Sequence, residues 1–188
     1  MINEMTEDWI HRVEHVTVEI QQQCINPDYA VLSWKAQAQA WSASQVLEHI
    51  IKVNTSYFPI IESLHNGTYR PSWTAKIPLF PRMMGKLILN SVKPSNTRKV
   101  STFQIWEPAT SALPLSIVED FIKHQDELQQ LILSSADLLS RQVIISSPAS
   151  STITYSLEDA FHIIVTHEER HLSQFQRVLN LAEKSIMP

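Results

Sequence analysis

The stretch SLEDAFHIIVTHEERHLSQFQRVLN, residues 156–180, brings back an apolar side chain at Leu157, Phe161, Ile164, Phe175 and Val178, in steps of three and four or their sums. That period belongs to a helix with one buried face. Ser156 stands at its start, and Glu158 and Asp159 lie in the first turn, where the positive end of the helix dipole favours carboxylates. Glu168 and His171 fall on the same apolar stripe. At about 100° per residue, His167 lies about 40° to one side and still faces inward. Two histidines and a carboxylate turned toward a core need partners, because a buried polar group left unpaired costs free energy. The helix therefore carries its chemistry on the buried side.

Three other segments share this period. Residues 4–23 repeat Met5, Trp9, Val13, Val16 and Ile20. A second helix opens after Trp41. Ser42 and Gln45 have capping-box spacing there, Trp41 can staple onto Val46, and Ile50, Val53 and Tyr57 follow on one face. Pro59 removes a backbone donor, so a kink or stop is expected before His65-Asn66-Gly67. A third helix starts near Ser116, which with Glu119 again has capping-box spacing, and carries Ile117, Phe121, His124, Leu128 and Leu131. Residues 68–115 hold six of the ten prolines and are too long for a tight turn. They read as a crossover with a short helix around residues 82–90. The segment VIISSPASSTIT, residues 143–154, reads as a hairpin or an ordered loop. The expected fold is all-α: a four-helix bundle with a long crossover between helices 2 and 3, in one domain over residues 1–188.

Composition narrows the function. The 188 residues include two glycines, Gly67 and Gly85, where ordinary usage gives about 13. That scarcity excludes dinucleotide and phosphate-loop folds, which need glycine for close backbone approach. Net charge is −4, and over the whole chain the basic residues read as dispersed, so no nucleic-acid partner is expected. One cysteine, Cys24, excludes an intramolecular disulfide and a cysteine-built zinc site. The opening MINEMTEDWI has no signal-peptide core, and no apolar run approaches the roughly 20 residues that span a bilayer. A cytoplasmic protein without a membrane partner is expected.

Eight histidines are sorted by where they sit on their helices. His11 and His15 are spaced i, i+4 but stand opposite Trp9 and Val13, toward solvent. His167 and His171 have the same spacing on the inner face, the geometry that lets two imidazoles share one divalent metal. A third ligand is required. His49 is aimed inward between Val46 and Val53, with Gln45 one turn earlier to orient it or a water. His124, on the stripe of the third helix, competes as a ligand or as a buried, hydrogen-bonded histidine. His65 and His162 read as exposed. The string His167-Glu168-Glu169-Arg170-His171 matches H-E-x-x-H, with Glu168 as would-be base. The metzincin extension fails, since Gln174 and Arg177 stand where Gly and His are needed.

The segment Trp41-Ser42-Ala43-Ser44-Gln45-Val46-Leu47-Glu48-His49-Ile50 resembles the W-s-x-x-Q-v-l-x-H-i opening of helix two in the DinB-like superfamily, which includes the YfiT-type metal-dependent hydrolases. His167-Glu168-Glu169-Arg170-His171-Leu172-Ser173-Gln174 resembles that family's H-x-x-x-H followed by L-x-Q. The likeness covers essentially the whole chain. It implies a DinB/YfiT-like bundle in which His49, His167 and His171 bind one divalent ion, zinc or nickel, and in which homodimers are common. It assigns no role to His124 or Glu168, and no catalytic residue.

Family members include thiol S-transferases that use bacillithiol or mycothiol and a thiol-dependent maleylpyruvate isomerase. The resemblance thus implies a metal-dependent transferase in which the ion holds a low-molecular-weight thiol as thiolate for attack on a small-molecule electrophile. Beside it stand a metal-free reading, in which the histidines form a polar core network, and two metal-binding alternatives. One is a hydrolase using metal-bound water with Glu168 as base. The other is a non-catalytic, stress-related metal-binding bundle, in which a fourth protein group such as His124 closes the shell.

Overall fold

The computed structural model describes residues 2–26, 28–96 and 101–186. In chain order the elements are α1 (Ile2–Gln23), α2 (Tyr29–Ser33), α3 (Ala43–Thr55), α4 (Phe58–His65), a 3-10 turn at Trp73–Lys76, α5 (Phe80–Val92), a second 3-10 turn at Gln104–Trp106, α6 (Ile117–Ser134), α7 (Ala136–Ser140), β1 (Ile144–Ser147), β2 (Ser150–Ser156) and α8 (Leu157–Ile186). The chain is mostly helical, with one two-stranded sheet. No described helix is long and apolar enough to cross a membrane.

Local signals account for most boundaries. At the start of α3, Ser42 Oγ accepts from Gln45 N–H and Gln45 Oε1 accepts from Ser42 N–H, a complete capping box. α3 stops at Thr55, and α4 restarts with Pro59 in its first turn, where a missing N–H leaves no helical bond unmade. Gly67 then takes φ +66, which glycine adopts without strain. Ser116 does not cap α6 with its side chain, contrary to its spacing from Glu119. It sits at φ −57 and ψ −15, already helical, whereas a capping side chain needs extended backbone.

Residues 143–154 form the hairpin alternative. β1 and β2 pair antiparallel, with Ile145 opposite Tyr155 and a register shift between Ser146 and Ser147. β2 runs straight into α8, whose first turn is held by Asp159 N–H donating to Ser156 Oγ. α5, the helix expected within the crossover, packs against β2 and α8. It comes so close that a Cβ at Gly85 would collide with the Asp159 carboxylate.

α1 packs on α6 and α8, and α3 packs on the same two helices. Between them the apolar core falls into two clusters. One gathers Trp9, Val13, Val53, Leu128, Phe161 and Val165; the other gathers Val16, Ile20, Val46, Ile50, Phe121 and Phe175. The buried polar residues Gln125 and Glu168 sit where α6 and α8 pass from one cluster to the other, and Asn54 follows Val53, the first residue of α3 in the first cluster.

Candidate metal centre

His49 comes from α3, and His167 and His171 come from successive turns of α8. Their Nε2 atoms converge: His167 Nε2 lies 3.3 Å from that of His49 and 2.9 Å from that of His171. The Trp106 carbonyl lies 2.7 Å from His49 Nδ1. A carbonyl only accepts, so the Nδ1 proton of His49 is fixed and its Nε2 is a bare lone pair. Trp41 covers the cluster, its ring 4.7 Å from that of His49 and 6.4 Å from that of His171.

Burial sets the charge state. It pushes the His171 imidazole down to about 3, with the neighbouring His49 and Arg170 adding to the shift. His167 is held well below the usual histidine range by burial first, then by His171, His49 and Arg170. His49 is lowered by burial, with the Trp106 carbonyl working against the shift. All three are neutral at pH 7.

Neutral imidazoles cannot satisfy one another in this arrangement. A proton on His167 Nε2 can serve only one of its two neighbours. Among the described residues neither the Nδ1 of His167 nor that of His171 has a partner at hydrogen-bond geometry, although Gln174 opposes the downward shift of His171. Every tautomer choice therefore leaves buried ring nitrogens unanswered, an unusual condition for folded proteins. A divalent cation fits the donor set, since it takes up three converging imidazole lone pairs at once. Among the described residues no fourth histidine, cysteine or carboxylate joins the cluster.

The end of the crossover is strapped along α3 beside His49. Ser56 Oγ accepts from Trp106 Nε1 at 3.1 Å, and Lys52 Nζ donates to the Glu107 carbonyl at 2.9 Å. Glu48 Oε2 accepts from Ala109 N–H at 2.6 Å, and Gln45 Nε2 donates to the Ala109 carbonyl. Gln45 is thus spent on the cap and the strap. The backbone of Trp106 orients His49, the task expected of Gln45.

The model of the DinB superfamily matches residues 10–175, which include all three histidines. The chain belongs to the DinB superfamily. No curated protein and no solved structure matches it at a significant level. Within this DinB chain the remaining candidates divide cleanly. Glu168 is fully buried and turned away from the cluster, accepting from Asn54 Nδ2 at 2.6 Å and from Gln125 Nε2 at 3.0 Å. Burial raises its carboxyl to about 7, against the pull of those two amides. His124 is buried with its Nε2 unpartnered among the described residues, stacks on Phe58 at 5.5 Å, and is pushed down to about 4 by burial.

His11, His15 and His65 are exposed, as expected. His162 is not: it is half-buried and its Nδ1 accepts from Trp9 Nε1 at 3.0 Å. Its position off the stripe of α8 places it against α1, which a reading of one helix does not reveal. Sequence reasoning also missed Trp106, whose contribution is a backbone carbonyl and leaves no side-chain signature.

Proposed function

We propose that this DinB protein is a metal-dependent enzyme of the thiol S-transfer type. In this reading α1, α3, α6 and α8 make a four-helix bundle, and His49, His167 and His171 hold one zinc or nickel ion. The observation that carries it is a three-histidine cluster with no fourth ligating side chain among the described residues. Structural sites close their shell with protein groups, whereas catalytic ones keep a position free for substrate. Bound there, the ion supplies Lewis acidity that lowers the pKa of a thiol.

The protein's own residues prepare the site. Trp106 fixes the tautomer of His49, and Trp41 packs beside the His49 and His171 rings. The nucleophilic sulfur comes from outside the chain. Cys24, the sole cysteine, is buried among apolar residues and its thiol is pushed up to about 11. In this reading the crossover, tied to α3 at Trp106–Ala109, would shape the substrate pocket. Hydrolysis is less well supported, because both oxygens of Glu168 are engaged by amides and no carboxylate among the described residues joins the cluster.

Elemental analysis of untagged protein prepared without chelators tests the metal. About one zinc or nickel per chain is expected, lost in the His167→Ala, His171→Ala double variant. Metal-loaded protein is then given bacillithiol, mycothiol or another small thiol with a chromogenic electrophile. A wild type that neither contains nor takes up zinc or nickel overturns the metal reading. Metal-loaded protein that cleaves esters or amides but never consumes thiol overturns the transferase reading.

A further inference from the structure

No Asp or Glu lies between Glu62 and Glu107, while seven of the fifteen Lys and Arg residues do. The net charge of −4 conceals this segregation, since the rest of the chain carries eight basic residues against nineteen acidic ones. Five of the seven cations, Arg70, Lys76, Arg82, Lys86 and Lys93, are exposed, and none pairs with a carboxylate among the described residues. On α5, Arg82 and Lys86 form one outward row. Beside it runs an apolar row: Leu79 is 76% exposed, Met83 57% and Leu87 61%. The 3-10 turn at Trp73–Lys76 packs against α5 and adds Trp73, 69% exposed. Leu79 is held at φ +64, a conformation that non-glycine residues seldom adopt, and it displays its side chain to solvent there. The nearby acid Asp159 touches Gly85 on the opposite, buried face of α5.

We infer that this face of the crossover is a docking surface for an anionic lipid bilayer. Leucine, methionine and tryptophan beside lysine and arginine, on one face of a helix lying flat on its own protein, match the two layers of a membrane surface. The apolar row meets the acyl boundary and the cations meet the headgroups. Nucleic acid answers the cations alone, since phosphates offer nothing to an exposed leucine row. A second copy docked symmetrically by this face would set the Arg82 and Lys86 row against its own copy, which electrostatics opposes.

Sedimentation with zwitterionic phosphatidylcholine vesicles, with and without phosphatidylglycerol, tests the surface on the whole chain. Binding is expected only where phosphatidylglycerol is present, weakening as salt rises. An Arg82→Gln, Lys86→Gln variant should bind about thirtyfold more weakly. A Leu79→Ser, Met83→Ser, Leu87→Ser variant should also lose affinity. These positions are exposed and distant in sequence from the histidines, so circular dichroism and metal content serve as controls for folding. Absence of binding to anionic vesicles at low salt overturns the inference. So does a serine variant that binds like the parent, or a DNA fragment that binds more tightly than the vesicles.

Discussion

Glu168 is the carboxylate that a search for a general base selects first, yet its neighbours make it a core tie between α3, α6 and α8. Its carboxyl is raised from 4.5 to about 7. The unfolded chain therefore releases this proton before the folded one does, and stability falls as pH rises from about 4.5 to 7. Glu168→Gln removes that fall. Urea unfolding should show the variant gaining up to about 3 kcal/mol over the parent above pH 7 and little below pH 4.5. Metal uptake should be unchanged, and its loss would return Glu168 to the site. His124 acts with the opposite sign. Its pKa is lowered to about 4, so the unfolded chain takes up a proton that the folded chain refuses, and stability drops as pH falls from about 6.5 to 4. His124→Leu should flatten the stability profile across that window by up to one proton and leave it unaltered above pH 7. The sequence placed Glu168 and His124 inward because helical period fixes direction. It left their partners open, because those stand on other helices.

At the scale of elements, α3 was legible from Ser42 and Gln45, whose reciprocal bonds form within four residues. The hairpin was ambiguous because β-branched and serine-rich segments suit both a strand and a loop. Ile145 and Tyr155 resolve it by packing into the core. The strap along α3 had no legible signal, since the polar side chains of that helix can serve solvent equally well. Its function follows from the contacts. Glu48 and Lys52 hold the backbone at Ala109 and Glu107, and that backbone sets where the Trp106 carbonyl meets His49. A Glu48→Ala, Lys52→Ala variant should keep its helical circular dichroism and bind zinc about tenfold more weakly in competition with a chelating dye. Its cobalt-substituted form should show an altered d–d spectrum. Unchanged zinc affinity would mean that His49 is oriented without the strap.

For the whole molecule, the decisive arrangement is a polar layer between two apolar clusters. His49 stands next to Ile50 at the edge of one cluster, and His167 and His171 lie between Val165 of one and Leu172 of the other. A cation bound by these three residues joins α3 to α8, elements more than a hundred residues apart in the chain. The unfolded chain offers no such convergence, so binding adds directly to folding stability. At a free metal concentration a hundredfold above Kd the gain is about 2.7 kcal/mol. For a chain of this size that raises Tm by about 5 to 10 °C. Zinc or nickel added to chelator-treated protein should produce this rise, and a chelator should reverse it. Calorimetry on His49→Ala should show no rise, because two ligands from α8 alone do not tie that helix to α3. If the variant gained as much as the parent, the ion would be bound outside the cluster, and the polar layer would hold the helices through its amides alone.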